Sequence, residues 1–389
     1  MRSGLPLVVG VLAVAACSAD EIAYVGSPPA EVSTVPAPPA GTTEPPPGVA
    51  SPGALRGAVT ERWGEDDVNR CVPDVPSAVA ALRDQGDALG FHLAGFTDDL
   101  FYVPGSSKHW QGVQRVPYGD GRTVVVSRGG APMFAAVRFE SRGAEGAAVG
   151  ANRVALGAPD VADRVVAEMP EPDGFAHAGG MQAIGRYVAV PLENGRDASR
   201  VVIADLADAA APVAVGTLVR DAAEKEAGGA GLAKLADGRY LAVVAHADAN
   251  ELAWYITPSL SDWSATTRLG TMGAGGYVGH EHGSYQTVNL VTQCDGALFL
   301  LGLHGTSNLF GEDRLDAWRV VLGGATPTLA WVTERHVRCS ENGGERQCNF
   351  TAGAGVYVDP GGALIVYATE HRASGPEGTV KMTEFAPLR

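Results

Sequence analysis

Five two-residue turns, set at nearly regular intervals, constrain this chain more than any other feature. They are Asp120-Gly121, Ile184-Gly185, Asp237-Gly238, Asp295-Gly296 and Gly361-Gly362, separated by 64, 53, 58 and 66 residues. Each is followed by a short apolar run rich in β-branched residues: TVVVS, YVAVP, YLAVV, LFLLG and LIVYA. Asp-Gly between two such runs is a strong hairpin signal, because a type I′ turn needs positive φ at both central residues. Upstream of four of the turns a glycine precedes an apolar residue: Gly112-Val113, Gly180-Met181, Gly231-Leu232 and Gly355-Val356.

The clearest unit is Ala178–Leu206 with Val213–Leu218. It reads as strands at 180–184, 187–192, 201–206 and 213–218. Four short antiparallel strands cannot bury both faces alone, so the unit needs its neighbours. Similar units start near Trp110, Ala230, Ser284 and Ala352. The expected fold is all-β, a β-propeller of five four-stranded antiparallel blades. A sixth blade built from the N-terminal region is the alternative. Blade 5 lacks an outer strand before the C-terminus, and Gly90–Phe96 or Leu100–Val103 is expected to supply one and remove an exposed edge.

Residues 1–17 read as a lipoprotein signal peptide. Arg2 is followed by the twelve apolar residues Leu5–Ala16, too short to cross a ~30 Å bilayer core. The end, Val14-Ala15-Ala16-Cys17, resembles a bacterial lipobox, which implies diacylglyceryl and palmitate-type acylation at Cys17. Anchoring by two or three chains is stable where one is marginal. The expected location is the cell envelope, the outer membrane in a Gram-negative cell, with the domain facing the periplasm or the exterior. The membrane is then a partner through the N-terminal lipid.

Residues 18–55 hold nine prolines between Pro28 and Pro52 and read as a disordered tether. At about 3.1 Å per residue it reaches roughly 100 Å. Residues 56–90 form a cap segment, with one helix expected over 76–89, and 91–389 form the propeller. A net charge of −15 and the absence of a basic stripe exclude nucleic acid as a partner. The soluble part is expected to be a monomer.

Beyond Cys17 the chain has four cysteines, an even number that suits disulfides in an exported protein. Cys339 and Cys348 flank a polar, turn-rich loop and are expected to pair, leaving Cys71 to pair with Cys294.

Within a blade, the start of the first strand and the end of the second share one face. The second strands end on Arg128, Glu193, His246, His304 and Glu370-His371. His109, His177 and His282 lie near the starts of first strands, with Gln114, Gln182 and Gln286 close behind. Gathered at the channel mouth, Arg128, His109 and the three glutamines would bind a ligand. His177, His246, His282, His304 and His371 are the candidate ligands for one divalent metal ion. Polar strand ends that only satisfy loop backbone groups give the same pattern. Trp110, Trp254, Trp318 and Trp331 read as blade packing.

Tyr255–Trp263 (YITPSLSDW) resembles the S-x-D-L-x-x-W turn of five-bladed glycoside hydrolases of the arabinanase and fructosidase type. That resemblance implies five blades and a pair of carboxylates at the channel, for which Glu193 and Glu370 are the rim candidates. The chain departs from the pattern: the Asp is displaced, and the first channel strands carry Gln and His where those enzymes carry an acid. The whole chain looks like the secreted or lipid-anchored bacterial propellers. The expected function is therefore an envelope lipoprotein whose His-lined face binds a polysaccharide or a protein. The alternative is a metal-dependent hydrolase or lyase acting on an extracellular carbohydrate.

Overall fold

The computed structural model describes residues 55–92, 110–130, 132–139, 164–172, 174–175, 177–194, 197–220, 223–305, 313–338, 341–342, 345–346, 348–351, 353–370 and 379–387. The leader with Cys17, the tether, His109, Cys339 and His371 lie outside them.

Among the described residues, apart from the short helix α1 (Val75–Ala80) and two single turns of 3-10 helix, the regular structure is strand. Strand β1 (Asp87–His92) precedes a first unit of β2 (Trp110–Arg115), β3 (Thr123–Arg128), β4 (Phe134–Arg138) and β5 (Arg164–Met169). The second unit has a split first strand, β6 (His177–Ala178) and β7 (Gln182–Ile184), then β8 (Tyr187–Glu193), β9 (Ser199–Asp205) and β10 (Val213–Val219). The third is β11 (Gly229–Lys234), β12 (Tyr240–Ala245), β13 (Leu252–Thr257) and β14 (Thr267–Met272). A short strand β15 (Tyr277–Val278) precedes the fourth, β16 (Thr287–Thr292), β17 (Leu298–His304), β18 (Asp313–Val321) and β19 (Thr328–Val337). A small hairpin, β20 (Glu341–Asn342) and β21 (Glu345–Arg346), leads to the fifth, β22 (Ala354–Val358), β23 (Leu364–Thr369) and β24 (Thr379–Phe385).

Within each unit the strands pair antiparallel in chain order. The first strands touch one another in the cycle β2, β7, β11, β16, β22 and back to β2. Each of the large apolar clusters is shared by two neighbouring units. One joins units three and four around Trp254, Tyr285 and Trp318. Another joins units one and five around Val113, Tyr357 and Tyr367. The same holds between units one and two, two and three, and four and five. A ring of meanders that bury their faces only against each other is a β-propeller.

The glycines ahead of the turns sit where first strands meet at the axis. A Cβ on Gly180 would lie 2.4 Å from the Gln286 carbonyl oxygen, and one on Gly355 would lie 1.8 Å from that of Val113. A side chain at either position would push two blades apart.

The fifth blade takes its fourth strand from the N-terminus: β1 pairs antiparallel with β24 from Asp87↔Glu384 to His92↔Thr379. This closing strand begins before the expected Gly90. The helix expected over 76–89 ends instead at Ala80. Leu82 bridges to Pro387, Gln85 to Arg338, and Gly86 packs where a Cβ would meet Thr383 at 2.4 Å. Pairing with the sheet edge has overridden helix propensity.

Among the described residues, 55–86 cross the hairpin turns of the five units. Gly57 N–H donates to the Gly296 carbonyl, and Ala58 N–H to that of Lys234. The Asn69 side chain donates to Ala183 O at 2.9 Å and accepts from Gly185 N–H at 2.8 Å. The Trp63 ring lies over Gly121, and Pro73 lies beside Gly362. Cys71 and Cys294 form a disulfide, with Cα atoms 4.9 Å apart, that fixes this strap to the turn between β16 and β17. Cys348 is also disulfide-bonded.

Candidate functional site

The strap covers the hairpin-turn face; first strands begin and second strands end on the opposite face. Beneath it the axis is filled. Gln114 and Gln182, expected to bind a ligand, are 1% and 3% exposed. With Asn289 they form a buried amide network. Gln114 Nε2 donates to Asn289 Oδ1 at 3.1 Å, and its Oε1 accepts from Ala183 N–H at 3.3 Å. Gln182 Nε2 donates to Leu290 O at 2.7 Å, while its Oε1 accepts from the Leu232 and Leu290 amides at 2.8 Å. Asn289 Oδ1 also accepts from Val356 N–H at 2.9 Å, and its Nδ2 donates to Met181 O at 3.1 Å. Three amides thus tie together strands of the five described units. Every hydrogen-bonding position on Gln182 Oε1 and Asn289 is turned inward, so these side chains hold the ring and offer a ligand nothing.

The five second-strand ends stand where expected. Arg128, Glu193 and His304 are the last residues of β3, β8 and β17, and His246 and Glu370 directly follow β12 and β23. Their environments differ. His177 and Glu193 pair across the end of the second blade: His177 Nδ1 donates to Glu193 Oε1 at 2.8 Å, and the Gln111 amide meets Nε2 at 2.8 Å. Both ring nitrogens are occupied, so a metal would have to displace one of these partners. Glu193 Oε2 accepts from Ala227 N–H at 3.1 Å. Burial raises the Glu193 carboxyl, but the bonds from His177 and Ala227 and the nearby His246 outweigh it and hold the group below its ordinary range.

His246 lies 3.7 Å from Glu226 and 3.8 Å from Glu251, at ion-pair range on both sides. The loop after it carries two successive non-glycine residues in the left-handed region, Asp248 (φ 66°) and Ala249 (φ 53°). That conformation costs on the order of 1 kcal/mol or more per residue and needs outside support. The Tyr277 hydroxyl donates to Ala249 O at 2.8 Å. Asp248 Oδ1 accepts from Ser284 Oγ at 2.5 Å and from Gln286 Nε2 at 3.3 Å. Gln286 is therefore at the face, unlike the other two glutamines. His282 stacks on Tyr277 with centroids 4.2 Å apart and shares a hydrogen bond with Asn250, and His304 Nδ1 donates to Ser284 O at 3.0 Å. Burial pushes the His282 imidazole down against the pull of Asp316 and Glu281.

The histidines expected to bind one metal are therefore spread around the rim in separate hydrogen-bonded settings. Among the described residues no group of three or more His, Cys, Asp or Glu side chains converges as a metal site. Arg128 and Glu370 are each 4% exposed, so both are embedded in the blade ends. Glu370 is not presented with Glu193 as an open pair of carboxylates.

The stretch 255–263 is a packed turn. Thr257 Oγ1 donates to Ser259 O at 2.9 Å, Asp262 Oδ1 accepts from Ser264 N–H at 2.9 Å, and Trp263 Nε1 donates to Leu260 O at 2.9 Å. A Cβ on Gly216 would lie 2.2 Å from Leu260 O, so this turn seals the second blade against the third. Its Asp caps a loop and faces no channel.

One residue on this face escaped the sequence reading. Glu171, in the connection from β5 to β6, has a buried Oε1 with no hydrogen-bond donor among the described residues. Burial raises its carboxyl above the ordinary range, against the charges of Arg128 and His177. A lone Glu in a loop carries no periodic or spacing signal.

The Glu193 pair makes a direct prediction. Its folded-state pKa lies below the unfolded value, so its contribution to stability is full above about pH 4.5 and is lost as pH falls through the folded value. Replacing Glu193 by Gln should flatten the fall in melting temperature between about pH 5 and pH 3. Equal acid slopes in the two proteins would show that the His177 bond contributes nothing.

No family model matches the chain, and no curated protein matches it. Solved structures do. A DUF4623 family protein from Bacteroides eggerthii aligns over 78% of this chain and 76% of its own, at 12% identity and a TM-score of 0.38. The catalytic domain of a GH62 alpha-L-arabinofuranosidase from Coprinopsis cinerea aligns over 86% and 98%, at 12% identity and 0.37. The PQQ-bound aldose sugar dehydrogenase from Streptomyces coelicolor aligns over 77% and 98%, at 13% identity and 0.31. Likeness at this level carries no argument about activity. The β-propeller assignment rests on the closed ring of strands and shared cores.

Proposed function

We propose that the chain is an envelope-anchored lipoprotein whose five-bladed propeller binds a polysaccharide or protein ligand at its strand-end face. One observation carries the reading: among the described residues the strap lies over the hairpin turns of the five units and leaves the strand-end face, with His177, His246, Gln286 and His304, open. The tether enters at residue 55, beside the bonds of Gly57 and Ala58 to blades three and four. The lipid would sit on Cys17 and the Pro-rich segment would hold the domain off the surface. A hydrolase using Glu193 and Glu370 is the weaker reading, because Glu193 is bonded on both oxygens and Glu370 is embedded.

Two measurements test it. Alkyne-palmitate labelling should mark the full chain and vanish in Cys17→Ala; labelling of the variant would remove the lipid anchor from the reading. A photo-crosslinking amino acid at Gln286 should capture a component in intact envelopes, and the same group at Asp66, on the strap, should not. Silence at Gln286, or equal capture at both positions, would overturn the binding face.

A further inference from the structure

We propose that the Cys71–Cys294 disulfide is a mechanical stop, which keeps a pull arriving along the chain at residue 55 away from the strand that closes the ring. The proposal takes the source of that pull from the anchored-tether reading and rests on it for that alone. The strap has two parts, and the disulfide stands at their boundary. Among residues 55–70 only Gly57 and Val68 are buried. Their ties to the blades are spaced along the chain: Gly57 to Gly296, Ala58 to Lys234, Asp66 to Arg186, Asp67 to Lys234, and Asn69 to Ala183 and Gly185. A pull from residue 55 meets these ties one after another, so each carries the whole load in turn. From Val72 onward the chain enters the core. Val72, Val75 and Val79 are fully buried and Leu82 is 1% exposed, in the apolar cluster shared by blades four and five. Strand β1 follows and completes blade five.

Chain direction makes β1 vulnerable to such a pull. Asp87, its first residue, pairs with Glu384 near the end of β24, and His92, its last, pairs with Thr379. A load that entered β1 through Asp87 would part the two strands from that end, one residue pair at a time. Each hydrogen bond contributes little net free energy, so sequential opening is the weak mode. The disulfide lies upstream of this strand and passes the load to Cys294, in the turn between β16 and β17. Those two strands pair from Thr287↔Leu303 to Thr292↔Leu298, and β17 pairs in turn with β18 from Phe299↔Arg319 to His304↔Arg314. Pulled by its turn, this hairpin is loaded along the length of both strands, and many bonds share the force. The exposed part of the strap then yields while blade five stays closed.

The test pulls single full-length molecules in an optical trap. Handles join azide-bearing amino acids at Ser51 and at Ala210, which is exposed in the turn between β9 and β10, so the cysteines stay untouched. The wild type should release about 50 Å as residues 55–70 peel off, and then hold. Cys71→Ser/Cys294→Ser should go on to release a further ~70 Å, the length of residues 71–92 at about 3.3 Å per residue. That second step should come at a lower force than the next yield of the wild type. If the double variant does not fold, folded wild type treated with a thiol reductant in the trap gives the same comparison. A wild type that releases residues 71–92 at the force of the variant or the reduced protein would overturn the stop. So would a variant, or a reduced protein, that holds after residue 70 as the wild type does. Palmitate labelling judges the anchor separately: a chain that shows the stop but takes no lipid keeps the device and loses only the source of load assigned to it.

Discussion

Replacing Asn289 by Leu should destabilise the propeller by about 3–6 kcal/mol, because several buried groups at the axis lose partners that each count for roughly 1–3 kcal/mol. Asn289 Oδ1 accepts from Gln114 Nε2 and Val356 N–H, and Nδ2 donates to Met181 O and Val288 O. Leu is close in size but can neither accept nor donate. The site is fully buried, so water cannot take over. Against a typical total of about 5–15 kcal/mol, the loss is a large share of the stability. The urea midpoint of the wild type and the variant measures it. Asn289→Asp, which when neutral keeps an acceptor oxygen and supplies one O–H donor in place of the amide's two N–H donors, should fall between them at a pH where it is neutral. A shift under about 1 kcal/mol for Asn289→Leu would show that the blades are held by their apolar cores alone.

The second large effect concerns the strap. Cys71 and Cys294 are separated by 223 residues, so their bond closes a very long loop in the unfolded chain. Its removal in Cys71→Ser/Cys294→Ser should cost about 2–5 kcal/mol. The effect should also be local. Cys71 is held by its neighbours as well: Val72 N–H donates to Thr292 O, and Cys294 N–H donates to Val72 O. Without the disulfide these bonds and the Asp67–Lys234 pair must hold the strap, and limited proteolysis should cut first between residues 56 and 74. Melting temperature and cleavage mapping under non-reducing conditions check both parts. A double variant as stable and as resistant as the wild type would show that the hydrogen bonds suffice.

Particular residues show how far the chain could be read before its structure was known. Asp120-Gly121, Asp237-Gly238 and Asp295-Gly296 announced their hairpins because a turn with positive φ is a local demand on two residues, suited to Asp and Gly. Only half of that demand is met: Gly121, Gly238 and Gly296 have positive φ, but Asp120, Asp237 and Asp295 do not, so the turns form at the expected places without being type I′. The glycines at 112, 180, 231 and 355 were visible as a pattern, but their reason is the approach of a neighbouring blade. The Cys71–Cys294 pair was legible by elimination. The helix over 76–89 was not: Leu82, Gln85 and Gly86 are drawn to Pro387, Arg338 and Thr383, partners some 250 to 300 residues away.

The rim was legible as a list of strand-end residues and illegible as a site. Glu193, His246 and His304 could be placed on one face from strand direction alone. Which of the glutamines would face a ligand could not, because only the observed strand limits show that Gln114 and Gln182 lie within first strands while Gln286 precedes β16. Two fill the axis and one reaches Asp248. Sequence by itself determined the repeating hairpin, the all-β class and the face on which strand ends gather, since these follow from turn chemistry and a two-residue period. Only the tertiary structure decided that the axis is closed by Gln114, Gln182 and Asn289, that the strap covers the other face, and that Glu171 lacks a donor. Those are properties of contacts between blades, and no local pattern encodes which distant group a side chain will meet.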